Sequence, residues 1–425
     1  MAVAHREKLA IKGGPKAVTL PGDDGWQQIT QREIDAVMGL VRAGQISIGG
    51  GGGVIGELER KFGDWIGVKY CLAQNNGTST LHSAYFAVGV GFGDEVIVPS
   101  YTWHATVTPI LHCGGTPIFC EIDPNTLTAD PKDIEKKITK RTKAICVVHI
   151  WGNPADMEAV MDISNRHEIP VIEDASHAHG AEFDGKKIGS IGHIGCFSLQ
   201  GSKPLTGGEA GMITTNDVDL FERMVILGHY GRIQNTLVTD NYRAFGDSGL
   251  GIKYRAHPLA AGMALVQLER IEELNEKRAA WVEELDRRLG EIPAIEPIRA
   301  YPKAKRAGFY SYRARYMVAR STGVSLDRFV EALRAEGVPA GADRYYTLHD
   351  KAVFQDLSFD GLGGPWGSPG GDNRRVFKRG SLPQTEAVSE MLFGMPVIAE
   401  PAAGLMDQLC HGVAKVIAQL DSLRQ

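Results

Sequence analysis

The sequence has little cysteine for its length, no block of like charge, no internal repeat and no long apolar run. Its six cysteines, Cys71, Cys113, Cys120, Cys146, Cys196 and Cys410, fall at irregular spacings, mostly inside apolar stretches. Without a CxxC pair they offer neither a zinc site nor a redox dithiol, and reduced, buried thiols are expected. No stretch reaches the roughly 18 uninterrupted apolar residues of a membrane span. The amino terminus, MAVAHREKLAIKGG, carries charges where a signal peptide needs an apolar segment. A cytoplasmic protein with no membrane partner is the expectation. Lys and Arg number 46 against 51 Asp and Glu, a net charge of −5, which argues against a nucleic-acid partner. The histidines His104, His112, His149 and His193 lack ligand spacing, so no metal is expected.

What is present is the composition of an ordinary globular protein, 43% hydrophobic and 23% charged over 425 residues. Two domains are expected. Between residues 31 and 215, β-branched or apolar runs alternate with segments of helical period, the mark of βαβ units. The strands fall at 69–73, 95–98, 117–120, 143–149, 170–174, 194–198 and 211–215, and helices at 31–43 and 55–66. Several strands are apolar on both faces, as buried parallel strands should be. A helix over 257–289 keeps Leu268, Ile271, Leu274, Trp281, Leu285 and Leu289 on one face and connects the domains. A strand at 312–318 and a helix at 326–336 follow it, in the manner of a smaller α+β domain. The division is therefore 1–260, with an arm at 1–30, and 261–425, which includes a glycine-rich loop at 360–371.

Four segments can carry chemistry. In Phe197-Ser-Leu-Gln-Gly-Ser-Lys-Pro-Leu-Thr-Gly-Gly-Glu209 a strand ends in small polar residues, and Lys203 is placed to enter a cleft as a Schiff-base amine or to stand as a solvated loop lysine. Asp174 ends the strand Pro170-Val-Ile-Glu-Asp174, where it can hold a ring nitrogen protonated or cap the next helix. Asn75-Asn-Gly-Thr-Ser-Thr-Leu81 follows a strand and opens a helix. Its backbone N–H groups, with the Thr78 and Ser79 hydroxyls, form an anion site or simply a helix cap. Trp103, in Pro99-Ser-Tyr-Thr-Trp-His-Ala105, can stack on a flat ligand or fill a core. Together they describe a ligand with a phosphate, an aromatic face, a ring nitrogen and an aldehyde, which is pyridoxal phosphate (PLP).

The order GTST, PSYTW, EDASHAHGA and FSLQGSKPLTGGEAG closely resembles the sugar and cyclitol aminotransferases of the DegT/DnrJ/EryC1/StrS group, from about residue 10 to the end and most strongly over 70–260. The resemblance implies the aspartate-aminotransferase-like fold, type I of the PLP-dependent transferases: a large α/β domain with a mixed, mostly parallel sheet, and a small carboxyl-terminal domain. It implies that Lys203 bonds the cofactor and then moves the proton, and that Asp174 pairs with the pyridine nitrogen. Trp103 would stack on the ring, and Gly77, Thr78, Ser79 and Ser198 would bind the phosphate, with His177 near the ring hydroxyl.

Gly251-Ile-Lys-Tyr-Arg-Ala-His-Pro-Leu259 resembles the segment that reaches the phosphate of a neighbouring subunit, with Lys253 in place of the usual Asn. This form resembles the branch acting on keto-inositols, and it implies a homodimer. Tyr345-Tyr-Thr-Leu-His349 loosely matches the family's substrate segment, with Tyr346 and His349 as the candidate residues. Ala210 stands where a second glycine is usual. The run Gly49–Gly53 lacks the preceding strand and following lysine of a P-loop, so a flexible segment near the site mouth is expected. The implied reaction moves an amino group from L-glutamine or L-glutamate to a ketone on a sugar or cyclitol. A sugar dehydratase using the same cofactor is the rival within enzymes, although that branch has histidine in place of the lysine. A catalytically silent regulator of the same fold is the other rival.

Overall fold

The seven strands expected between residues 69 and 215 all form, and they make one sheet. The computed structural model describes residues 7–22, 29–49, 51–342, 345, 347–355 and 377–424. Its strands in chain order are β1 (Tyr70–Gln74), β2 (Glu95–Pro99), β3 (Thr116–Cys120), β4 (Thr142–Val148), β5 (Val171–Asp174), the short β6 (Glu182–Phe183) and β7 (Lys186–Lys187), β8 (Ile194–Ser198) and β9 (Gly211–Thr215). The sheet runs β1-β9-β8-β5-β4-β2-β3. Only β9 opposes its neighbours, pairing antiparallel with β1 and β8, while the other pairs are parallel. β2, β3, β5 and β9 are buried at every residue, so none of them shows the in-out alternation of a half-exposed strand.

A second sheet is antiparallel throughout. It combines β10 (Ile295–Pro297), β12 (Tyr312–Tyr316), β13 (Gly341–Ala342) and β14 (Leu392–Met395) in the order β10-β12-β14-β13. The two-residue β11 (Ala304–Lys305) instead joins β6 and β7 as a ribbon.

Helix α1 (Gln31–Arg42) starts at a capping box in which the Thr30 N–H donates to Glu33 at 2.8 Å. The buried Glu33 carboxylate also accepts from Gln267 and Arg270, which fastens α1 to the long helix Pro258–Leu289. Helix α2 (Gly53–Ile66) buries Ile55, Leu58, Phe62 and Ile66 against the large sheet, each side chain contributing roughly 1.5–3 kcal/mol. It begins two residues earlier than its apolar period suggests. The glycine run before it is used for close approach, since a β-carbon on Gly51 (φ +73°) would lie 2.4 Å from the Arg232 guanidinium carbon.

The two cores do not follow the expected division in chain order. The long helix serves both, with Ala261, Ala264, Leu265 and Ile271 in the large-sheet core and Trp281, Val282, Leu285 and Leu289 in the second. From the expected amino-terminal arm, Leu9 and Val18 insert into the second core. Conversely Leu348, Phe354 and Leu382 return to the large sheet and pack with Val98 and Phe119. Apolar pattern marks burial but not the partner, and this crossing of segments escapes it. The glycine-rich loop expected at 360–371 lies outside the described residues. The cysteines are free thiols, with Cys71 and Cys113 only half-buried. Among the described residues no helix is long and apolar enough to cross a membrane.

Candidate active site

The carboxyl ends of β1, β2, β4, β5 and β8 converge on a cavity of about 410 Å³, the usual place for a ligand in an open α/β sheet. Helix α3 (Gly77–Ala87) points its amino terminus into it. Asn76 caps that helix by accepting from the Ser79 N–H at 2.7 Å. Gly77 lies against β8, where a β-carbon would come 2.7 Å from that of Ser198. Gly77, Thr78 and Ser198 all line the cavity, giving backbone amides and hydroxyls at a helix start. Ser79 does not. Its buried hydroxyl donates to the Asn76 carbonyl at 2.7 Å, because the third helical residue points back along its own helix.

Asp174 is buried and lines the cavity. One carboxylate oxygen accepts the Thr106 hydroxyl at 2.7 Å and the other accepts the Ser176 N–H at 3.1 Å. Since the single Thr106 proton goes to Asp174, the Thr102 hydroxyl, 2.8 Å away, must donate to Thr106. No helix follows Asp174, only turns, so helix capping is not its role. Its neighbour Glu173, on the other sheet face, accepts from the N–H groups of Gly189, Ile191 and Gly192 and from His149 Nε2. His149 Nδ1 accepts the Ala155 N–H, so the ring donates through Nε2. This web fixes the end of β5.

Lys203 sits in the turn after β8, with its N–H on the Gln200 carbonyl at 2.8 Å. Its amine is half-buried, not solvated, and lies 4.1 Å from the centre of the Tyr310 ring. Burial pushes its pKa down to about 8, against the pull of Asp174 toward the charged form. Buried His177 is held far below the usual histidine pKa by burial and then by the Lys203 charge. The Trp151 N–H donates to its Nδ1 at 3.4 Å, which places the proton of the neutral ring on Nε2. Trp151 has left-handed backbone (φ 56°) and is buried, a strained arrangement held by stacking on His177 and by the Arg313 guanidinium over its ring. Trp103 is 47% exposed and lines the cavity, so it is no core tryptophan.

The carboxyl-terminal candidates fare differently. His349 does not reach the cavity. It is fully buried, and Ser100 Oγ accepts its backbone N–H and donates to its Nδ1 at 2.7 Å, so Nε2 donates to Glu386 at 3.0 Å. That triad ties residues 348–386 to the end of β2, and its partners lie too far away in the chain for sequence to reveal. Tyr346 lies outside the described residues, whereas its neighbour Tyr345 lines the cavity. Lys253 occupies a separate recess of the same chain with His229, Arg232 and Arg255. Thr102, Thr106, Tyr310 and Tyr345 were missed. The i, i+4 threonines of the PSYTWHAT segment were the one available signal.

A buried acid, a half-buried amine of lowered pKa, an exposed indole and a helix amino terminus thus share one cavity. The DegT/DnrJ/EryC1/StrS aminotransferase family matches residues 27–361. The chain belongs to this family. It is 34% identical over 341 residues, 78% of this chain and 79% of the other, to L-glutamine:2-deoxy-scyllo-inosose aminotransferase of Streptomyces kanamyceticus. With GDP-perosamine synthase of Caulobacter vibrioides the identity is 38% over 314 residues, 73% of this chain and 81% of the other. Among solved structures, the aminotransferase from Psychrobacter cryohalolentis superposes with a TM-score of 0.81 at 27% identity, covering 94% of this chain and 100% of that one. The fold is that of the PLP-dependent aminotransferases, and the enzyme is an aminotransferase that uses this cofactor. The cavity fits it: glycine at position 77 lets the first turn of α3 lie directly against β8, which brings its backbone amides and the Thr78 and Ser198 hydroxyls to one end of the cavity.

Proposed function

We propose that the enzyme moves an amino group from L-glutamine or L-glutamate onto a ring ketone of a cyclitol or sugar. The observation that carries this reading is the meeting of the Lys203 amine and the Asp174 carboxylate in one cavity whose phosphate end is built from Gly77, Thr78 and Ser198. When bound, the cofactor supplies an aldehyde carbon and a protonated ring that draws electrons from the substrate carbon. Asp174, fixed by Thr106 and Ser176, would hold the proton on the ring nitrogen. Lys203 Nζ, with a free-amine fraction near neutral pH, takes the proton from the donor's α-carbon and later delivers one to the acceptor carbon. His177, whose ring proton is on Nε2, would face the ring hydroxyl, and Trp103 would cover the ring face, since both line the cavity. Polar acceptors suit the Gln200, Ser202, Tyr310 and Tyr345 wall.

The reading includes a homodimer. Among the described residues that line the cavity, Lys203 is the one cation, and it does not belong to the phosphate end. Lys253 of a second copy would supply the missing charge. Helix α1 presents Ile34, Met38 and Val41 exposed on one side, which supports an interface between copies.

Absorbance tests the reading. Protein incubated with PLP should show a visible band that L-glutamine removes and a keto-inositol restores, while Lys203→Ala should neither form the band nor cycle. No chromophore after incubation overturns it. Mixing Lys203→Ala with Lys253→Ala subunits should recover activity if sites are shared between copies.

A further inference from the structure

Tyr310 lies on the connection between β11 and β12, more than a hundred residues from the lysine it touches. The connection is pressed against the loop after β5: a β-carbon on Gly308 (φ +77°) would strike the His177 carbonyl oxygen at 2.7 Å and the His179 nitrogen at 2.8 Å. The Tyr310 ring stacks on His177 at 4.3 Å and lies parallel to Trp151, 2° between planes. Lys203 Nζ lies 4.1 Å from its centre. Its hydroxyl is 2.9 Å from Ser202 Oγ, and Ser202 spends its own proton on Gln200 Oε1 at 2.6 Å, so Tyr310 is the donor. One side chain thus holds both the lysine head and the turn that carries it.

We propose that Tyr310 is a positioning residue for Lys203, its ring seating the ammonium on the cavity wall and its hydroxyl locking the 200–203 turn. The inference rests on the reading of Lys203 as the reactive amine. The face of an aromatic ring attracts a cation most where water is excluded. The ring therefore favours the charged amine and opposes the effect of burial. Other groups face the same amine: Asp174 from β5 pulls it toward the charged form, His177 and His179 from the loop after β5 feel its charge, and Glu209 from the turn before β9 lines the same cavity. None of them is removed when Tyr310 is replaced, and of the four only His177 is stacked on the Tyr310 ring.

Cofactor-free protein, labelled with trace acetic anhydride from pH 6 to 10 and read at the Lys203 peptide by mass spectrometry, reports the midpoint of the amine. Tyr310→Leu is expected to lower that midpoint by half a pH unit or more, about threefold more free amine near neutrality. Tyr310→Phe keeps the ring and should leave the midpoint in place while raising the labelling rate at the plateau, because the turn is freed. Should Tyr310→Leu fail to fold, pentafluorophenylalanine at 310 keeps the shape, reverses the charge of the ring face and must lower the midpoint likewise. A midpoint that stays put or rises in these ring-altered proteins overturns the proposal. Absorbance of Lys203→Ala with PLP reports separately on the role of the lysine, so either idea can fail alone.

Discussion

Gly77 and Ser198 are packed so closely that one added methyl on Gly77 would stand 2.7 Å from the Ser198 β-carbon. In the proposed cofactor site, the first turn of α3 and the end of β8 face the phosphate together only because position 77 carries no side chain. Gly77→Ala is therefore expected to separate them. Overpacking of this kind costs roughly 1–3 kcal/mol, but the larger effect should be on the cofactor, with affinity for PLP down tenfold or more. Titration of the apoenzyme by absorbance checks this, and unchanged affinity would show that the phosphate is held elsewhere.

The threonine relay behind Asp174 gives a graded series. Thr106→Val keeps the shape and removes the donor to a buried carboxylate, a bond to a charged group worth about 1.5–3 kcal/mol. The rate of the donor half-reaction should fall about 10- to 100-fold. Thr102→Val, which only orients Thr106, should cost less than tenfold. Asp174→Asn removes the charge proposed to keep the ring nitrogen protonated and should cost more than either. Stopped-flow measurement of the L-glutamine half-reaction ranks the three, and equal losses would refute the relay.

Glu59 and Arg232 form a buried two-point ion pair at 2.7 and 2.9 Å, and Glu59 also accepts the Ala73 N–H of β1 at 2.9 Å. Glu59→Gln would leave the guanidinium buried without its counter-charge, which typically costs 3–5 kcal/mol. Arg232 borders the recess that holds Lys253, so in the proposed dimer loosened α2 packing should also weaken assembly of copies. Urea unfolding and sedimentation velocity read the two effects, and a variant as stable as the parent would remove the pair from the account.

Much of this was legible in the chain. Buried parallel strands write themselves as unbroken apolar runs, so β2, β4 and β5 were found within a residue or two, and Asp174 and Lys203 were visible as polar residues where such runs stop. What escaped was whatever depends on distant pairing. Tyr310 reaches Lys203 across a hundred residues with no periodic signal, and His349 is a substrate candidate only through the loose resemblance of its segment, while its actual partners Ser100 and Glu386 lie 249 and 37 residues away. Ser79 belonged to the right motif, but the helix turned its hydroxyl inward.

Buried histidines set the behaviour in acid. His179 and His229 are both held near a pKa of about 3 and His82 near about 4, in each case first by burial, then by neighbouring positive or protonatable groups. In the unfolded chain each would titrate near 6.5. Between pH 6.5 and the folded values the unfolded state therefore binds more protons, so stability rises with pH in that window and falls as the solution is acidified. Each group should remove roughly 1 kcal/mol per pH unit below 6.5. Most carboxylates remain ionised in the unfolded chain down to pH 5, so the histidines dominate from 6.5 to 5. Urea unfolding of the apoenzyme at pH 7.5, 6.5, 5.75 and 5 should show a flat upper range and then a steep loss, with His229→Asn reducing the slope. A flat profile to pH 5 would mean that these rings gain protons in the folded protein as readily as in the unfolded chain.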